Sequence, residues 1–383
     1  MSLQIRINIF LLIVLLFAGQ AVYAQVLPED RLDLLYHYYD GDDVKITGPS
    51  ILFRKKATED ISLYANYYVD NITSASVDVR SYASKYDEER TEISLGGDML
   101  LDETILSAGF TDSDENDFKA QTAYFGVSQE IFGGLTTVNM GYSRGWDDVY
   151  EMVGSTAEYQ GDVDRRAYRV GVSQVMTKNL IMTFDYEGRT DEGFLRNPYR
   201  NYRFEANNID GFDWAREKYP DTRSSSAFAV GGRYFVEERK SSAIYGNFRF
   251  YDDTWGITAF NILGGYTIST RDRWLFDFSY RYYDQSKADF YSDLFPFQDS
   301  QNFMGRDKEL STFSNHTFRA GVTYDLDASA YDLISRGTIN FDLSYIYFDY
   351  DDFRDEPSTD VLEDEPLFDF GAVVAQVFVS FWF

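Results

Sequence analysis

His37 and His316 are the only two histidines in 383 residues, and cysteine is absent. Few routes to catalysis remain. Without thiols there is no disulfide framework, no thiolate metal site and no cysteine nucleophile. A hydrolase sets a histidine against a serine or an acid at a defined spot. His316 has Ser314 and Asn315 beside it, the components of such a site. It falls, however, at the outer end of a predicted strand, where a rim or interface histidine is the simpler reading. His37, flanked by Tyr36, Tyr38 and Tyr39, reads as strand filling.

Two further groupings carry polar chemistry. Asp112-Ser113-Asp114-Glu115-Asn116-Asp117 begins like a calcium loop, but an EF-hand needs Gly at the sixth place and Glu at the twelfth. Those places hold Asp117 and Ala123, so the stretch reads as a tight acidic turn, with a casual divalent site as the lesser reading. Residues 196–203 place Arg196, Arg200 and Arg203 among Tyr199 and Tyr202. Arg with Tyr suits anions, sugars or aromatic ligands. Folded inward, this loop would constrict a pore and set its selectivity. As a surface loop, its arginines would pair with Glu205, Asp210 and Asp213 instead. Gly133-Gly134, Gly231-Gly232 and Gly264-Gly265 lack the strand-to-helix context and the Lys-Ser/Thr of a phosphate loop. They are read as turns or close strand packing. No cofactor and no resident metal is implied. The acidic tracts 349–356 and 363–365 are read as solvated loop faces that could bridge divalent ions to anionic lipopolysaccharide.

The elements that must position these groups are strands. Aromatic residues make up 18% of the chain, the formal charge is -28, and proline is only 7. The charge argues against nucleic acid, which needs a positive surface, and the aromatic load argues against disorder. Period-two alternation runs for nine to thirteen residues at a time. Trp274, Phe276, Phe278, Tyr280 and Tyr282 oppose Asp277, Ser279 and Arg281. Ile339, Phe341, Leu343, Tyr345 and Tyr347 oppose Asn340, Asp342 and Ser344. A sandwich strand is about five or six residues long, whereas a tilted strand needs about nine to eleven to cross a bilayer. Tyr and Trp near strand ends, as at Trp274, Tyr282, Tyr345 and Tyr347, fit interfacial girdles.

The expected fold is therefore all-β, a transmembrane antiparallel up-and-down barrel. The expected strands are 32–40, 44–55, 60–71, 90–101, 104–112, 118–131, 135–146, 165–177, 179–190, 223–236, 241–252, 256–269, 273–284, 312–326, 335–349 and 369–383. That is sixteen, or fourteen if the first two, interrupted by Gly48-Pro49, drop out. An even number puts both ends on the periplasmic side. Long connections at 72–89, 149–164, 191–222, 286–312 and 351–367 alternate with tight turns, the asymmetry of an outer-membrane barrel. With about sixteen strands the lumen is too wide for side chains to fill. The candidate pore-lining residues are Asp98, Asp185, Glu187, Arg233, Arg249, Asp277, Arg281, Arg319 and Asp342. They could raise a transverse field across water, or simply pair along the wall.

Met1–Ala24 has one cation, a short apolar run and the small-x-small ending 21–24, the pattern of an export signal. Its core of about twelve residues is short of the roughly twenty needed to span. The expected mature domain is 25–383, in the outer membrane. Val377, Val379, Phe381 and Phe383 form one apolar face ending on an aromatic. Phe381 and Phe383 are read as a signal to the barrel assembly machinery.

Several segments taken together resemble a known family. They are Gly48-Pro49-Ser50-Ile51-Leu52-Phe53-Arg54-Lys55-Lys56, Ala65-Asn66-Tyr67-Tyr68-Val69-Asp70, Ser74–Val79, Tyr86–Glu92 and Asp112–Asp117. The chain resembles an uncharacterised family of Gram-negative outer-membrane proteins, catalogued as a domain of unknown function. The likeness spans essentially the whole mature chain and is densest over 45–118. It implies an exported barrel and offers no established activity or site residues. Relatives tend to be encoded beside exported thioredoxin-like and flavin-transferase proteins, which points toward an envelope redox role.

Three functions follow in order. The first is a porin-like channel for small polar solutes. The second is a non-conducting barrel that docks a periplasmic or surface partner in envelope redox or export. The third, a barrel enzyme, needs a convergent polar site that these residues do not supply. Outer-membrane lipid and lipopolysaccharide are the expected surroundings.

Overall fold

The computed structural model describes residues 26–42, 44–74, 86–205, 211–236, 241–270, 273–327, 333–354 and 365–383. The expected signal segment 1–24, Asp210 and residues 355–364 of the acidic stretch lie outside the described residues.

Among the described residues, sixteen strands close into one antiparallel barrel. They are β1 (Arg31–Gly41), β2 (Val44–Thr58), β3 (Ile61–Ser74), β4 (Tyr86–Leu101), β5 (Thr104–Asp114), β6 (Phe118–Ile131), β7 (Thr136–Val153), β8 (Thr156–Thr177) and β9 (Leu180–Gly193). After a loop carrying the small β10 (Asn201–Glu205) and β11 (Phe212–Arg216), the wall continues with β12 (Thr222–Phe235), β13 (Ser242–Asp253), β14 (Thr258–Ser269) and β15 (Trp274–Gln285). It ends with β16 (Phe313–Leu326), β17 (Arg336–Arg354) and β18 (Leu367–Trp382). Each strand pairs with its neighbour in sequence, and β9 meets β12 directly. β1 closes the ring on β18, with Leu32 opposite Phe381 and Tyr36 opposite Val377. In hydrocarbon every backbone group must find a partner, and closure is how a sheet meets that demand.

Alternation sorts the side chains. Leu34, Tyr36, Ile93, Leu95, Phe248, Phe341, Leu343, Tyr345 and Val377 point outward and are all exposed, Leu95 at 57%. Nothing among the described residues covers this belt, a surface suited to lipid. No helix among the described residues is long and apolar enough to cross a membrane; the strands cross it. Among the described residues, tight turns such as 102–103 and 132–135 lie at the end where β1 begins and β18 ends. Phe132, Gly133 and Gly134 all take positive φ (55°, 66° and 79°) in the turn before β7, which accounts for that glycine pair.

The expected sixteen strands are all present, the fourteen-strand alternative falls, and one expected loop changes. β1 and β2 belong to the wall, and β2 runs through the expected break, with Tyr36 opposite Pro49 and His37 opposite Gly48. Proline has no N–H to give, and its lost bond falls on the β3 side, where the ladder skips residues 48 and 49. A Cβ at Gly48 would sit 1.7 Å from the Val69 carbonyl, so only glycine fits there. The expected loop 149–164 is instead strand. β7 and β8 extend past the belt as a hairpin, turning at positive-φ Gly154.

Candidate functional site: a lumen plugged at its outer mouth

All the candidate pore-lining residues occupy inward positions. Register and outward neighbours agree: Phe184 and Tyr186 flank Asp185 and Glu187 on the exposed face. Several form ion pairs along the wall. Arg169 holds Glu187 at 2.9 Å, and Arg319 reaches both Asp277 (3.3 Å) and Asp342 (2.5 Å). Arg54 pairs with Asp98, which also accepts from Ser107 at 2.6 Å. Arg233, Arg249 and Asp185 have no ion pair among the described residues. At the periplasmic end the lumen opens into a cavity of about 740 Å³, lined by Arg31, Asn66, Asn340, Gln376, Phe378 and Trp382, among others.

Among the described residues, the outer mouth is closed by two loops, residues 194–205 and 211–221 between β9 and β12 and residues 286–312 between β15 and β16. Their floor is aromatic. Near the outer end, the inward positions of β16–β18 are Phe313, Phe348, Tyr350, Phe368 and Phe370, and on them pack Phe290, Tyr291 and Leu310 with Trp255 and Phe353. Stacking and edge contacts run through the group, for example Phe348 on Phe370 at 4.5 Å and Trp255 against Phe290 at 5.2 Å. A second cluster above it joins Tyr202, Phe204, Phe295 and Met304. Backbone bonds stitch the loops together: Phe295 donates to the Arg203 carbonyl (3.0 Å), and Lys218 and Met304 exchange bonds of 2.9 and 2.8 Å.

Charge is buried within the plug. Arg203 is 0% exposed. It donates to Glu365 through both Nη atoms (2.8 and 2.7 Å), to Asp293 Oδ2 (2.8 Å) and to the Asp293 carbonyl (2.7 Å). Arg306 donates from Nε to Asp293 Oδ1 at 2.9 Å and from Nη2 to the Arg354 carbonyl at 3.0 Å, and its ring-facing guanidinium lies 4.7 Å from Phe353. Glu217 accepts from the Arg306 backbone (2.6 Å) and from the Tyr219 hydroxyl (2.6 Å). Every buried charge has partners, as burial requires.

The plug is tied to the rim on several sides. Lys308 pairs with Asp42 at the β1–β2 turn, Arg216 with Glu151 of β7, and the Asp289 N–H donates to the Trp255 carbonyl of the β13–β14 turn at 2.8 Å. Tyr291 donates to the Asp352 carbonyl of β17 at 3.0 Å. The Tyr199 hydroxyl accepts from the Met152 backbone at 2.8 Å and also bonds Asp117.

The loop 196–203 folds inward, as the first of its two readings has it, and helps to close the outer mouth. Tyr202 and Arg203 are fully buried and line no passage. Its arginines bond to Glu217 (Arg196, on the carbonyl, 2.7 Å), Asp307 (Arg200), and Asp293 and Glu365 (Arg203), not to Glu205 or Asp213. The reason is that the second loop brings acids to it across the mouth. Glu365, expected on a solvated face, is 5% exposed. Asp293, Arg306 and Glu217 were not singled out from sequence. The available signal was the loss of alternation at the outer ends: Tyr345 through Phe348, with Tyr350, leaves no polar face.

Glu115 and Asp117 meet Glu88 outside the belt, with one ligand oxygen from each within 4.8 Å of the others, a set that suits a hard cation. Burial first, then the Asp117 and Glu115 carboxylates, push Glu88 up to about 7. Neither histidine meets a serine hydroxyl among the described residues. His316 faces outward, where Nδ1 meets the Tyr280 hydroxyl at 2.7 Å, while Asn315 faces inward and is buried. His37 Nε2 meets Asp70 at 2.7 Å and stacks on Tyr68.

A closed sixteen-strand ring with a lipid-facing belt, a charged lumen and an outer plug defines an outer-membrane β-barrel. The chain belongs to the family described as "Protein of unknown function (DUF3570)", whose profile matches residues 79–338. Comparison with curated proteins gives no match. Among solved structures the chain is similar to a bacterial polysaccharide outer membrane secretin (8% identity, TM-score 0.51, covering 94% of this chain and 100% of that one). It is also similar to CdiB from Acinetobacter baumannii (7% identity, TM-score 0.50, covering 92% of this chain and 61% of that one). At such identities the likeness speaks for the fold alone.

Proposed function

We propose that the protein is a porin-like channel for small polar solutes whose outer mouth is gated by the two-loop plug. The observation that carries this reading is the inner wall itself: Asp185 and Arg233 are exposed on it beneath the plug, with no ion-pair partner among the described residues. Side chains and short backbone bridges hold the plug, so it can be displaced without breaking the barrel. The test is conductance in planar bilayers. The wild-type protein should open rarely, and Arg203→Ala, which unties the plug, should open often. Silence from both would end the channel reading.

The plug also favours a second reading, a non-conducting barrel that docks a periplasmic or surface partner in an envelope redox or export system. That reading gains if both proteins are silent and a specific partner co-purifies. In either case we propose a non-enzymatic protein, exported and set in outer-membrane lipid and lipopolysaccharide. Phe381 and Phe383 would serve as its signal to the barrel assembly machinery.

A further inference from the structure

We infer that the lumen selects small anions, those bearing a carboxylate or phosphate, by means of a ladder of three arginines on the wall β12–β15. This inference rests on the channel reading. Register sets Arg233, Arg281 and Arg249 in three successive inward rows. Arg233 lies opposite Tyr245, Gly231 opposite Asn247, and Ala229 opposite Arg249. Asn247 continues through Leu263 to Arg281. Each row is two residues above the last, about 7 Å of strand rise. A solute moving along this wall meets a guanidinium in every row.

Other inward arginines are neutralised by a carboxylate: Arg169 by Glu187, Arg223 by Asp253, and Arg319 by Asp277 and Asp342. These three are not, among the described residues. Arg233 lies over the Tyr245 ring at 4.8 Å. Arg281 has only long contacts to Asn315 (3.5 Å) and Thr317 (3.4 Å), and its Nε is buried with no partner. Arg249 has Asn261 as its row neighbour on β14, and the inward positions of that strand, Ala259, Asn261, Leu263, Gly265 and Thr267, include no acid. The nearest carboxylate in the Arg249 row is Asp185, two strands away beyond Ala229, about 10 Å at ordinary strand spacing. Guanidinium is weakly hydrated and presents a planar fork to carboxylate and phosphate. Within a confined lumen such charges concentrate counter-ions.

The whole chain carries a charge of -28, which by itself would favour cations. The sign of the selectivity therefore separates the ladder from the bulk charge. The full-length protein and its Arg203→Ala form would be recorded in planar bilayers across a KCl gradient. The expected reversal potential has the sign of chloride preference, about tenfold over potassium. In the Arg203→Ala background, Arg233→Gln with Arg249→Gln and Arg281→Gln should bring that preference to about one, and inorganic phosphate should block the unmodified ladder but not this variant. Heat-modifiable gel mobility checks folding; should the triple variant fail it, Arg249→Gln alone should give a partial loss. A conducting pore that prefers potassium, or one whose preference survives these changes, overturns the ladder and leaves the channel. Silence from both forms overturns the ladder and the channel together.

Discussion

Arg203 and Glu365 meet through two parallel hydrogen bonds, 2.8 and 2.7 Å, although 162 residues separate them in the chain. The arginine comes from the β9–β12 loop and the acid lies two residues before β18, so this contact fastens the plug to the lead-in of the last strand. Asp293 of the second loop shares the guanidinium and also takes Arg306. One cation thus joins three separate parts of the outer mouth.

Arg203→Ala would leave Glu365 and Asp293 buried without their main cation, a change that costs about 3 to 5 kcal/mol in comparable sites. The loss should stay local. Hydrogen exchange over residues 286–312 should speed up, while the β-ladder keeps its protection and its heat-modifiable gel mobility. Unchanged exchange in those loops would show that Arg203 does not hold the plug.

Phe353 is 0% exposed in the aromatic floor. Truncation to alanine should destabilise the plug by about 3 to 5 kcal/mol. Phe341, 42% exposed on the lipid belt, provides the contrast. Its truncation should leave protease resistance of the outer loops as in the wild type. Equal effects of the two substitutions on loop proteolysis would contradict the division into floor and belt.

Glu88 is raised from 4.5 to about 7 by burial and by its acidic neighbours. A carboxyl raised in the folded state stabilises that state when protonated. The contribution is complete below pH 4.5 and is lost as pH rises through about 7. The rim around Glu88, Glu115 and Asp117, and the Tyr199 tie to it, should therefore loosen over that window. Glu88→Gln, which stays neutral, should flatten the pH dependence of hydrogen exchange at residues 113–118. A profile as steep as that of the wild type would refute the assignment.

Phe383 stacks on Phe53 at 5.9 Å, beneath the Lys55 ammonium at 4.6 Å from its ring. It lies past the last ladder position, Trp382, so removing it takes one backbone bond from the β1–β18 edge, Phe383 N–H to the Asp30 carbonyl at 3.3 Å. Deleting Phe383 should nonetheless lower the yield of folded barrel in the outer membrane while leaving refolding into detergent near normal. A comparable drop in both would mean that Phe383 acts through stability.

Alternation is a local property, and much of the barrel was legible from it. Residues two apart share a face, so the runs from Trp274 to Tyr282 and from Ile339 to Tyr347 already separated a lipid face from a lumen face. Closure followed from the physics of unpaired backbone in hydrocarbon. The inward positions of Asp277, Arg319 and Asp342 could thus be read directly, but not that one arginine serves both acids, because that depends on register between strands.

The plug was hidden for a different reason. Loop residues obey no period, and their partners are chosen by proximity across the mouth. Arg203 found Asp293 and Glu365 rather than the nearer acids in its own loop, because β15–β18 present an aromatic floor that draws residues 286–312 inward and brings those carboxylates within reach. By itself the sequence determined a greasy cylinder with charged walls. Only the tertiary structure decided that its outer end is shut, since burial of an ion pair depends on long-range packing that no local spacing encodes.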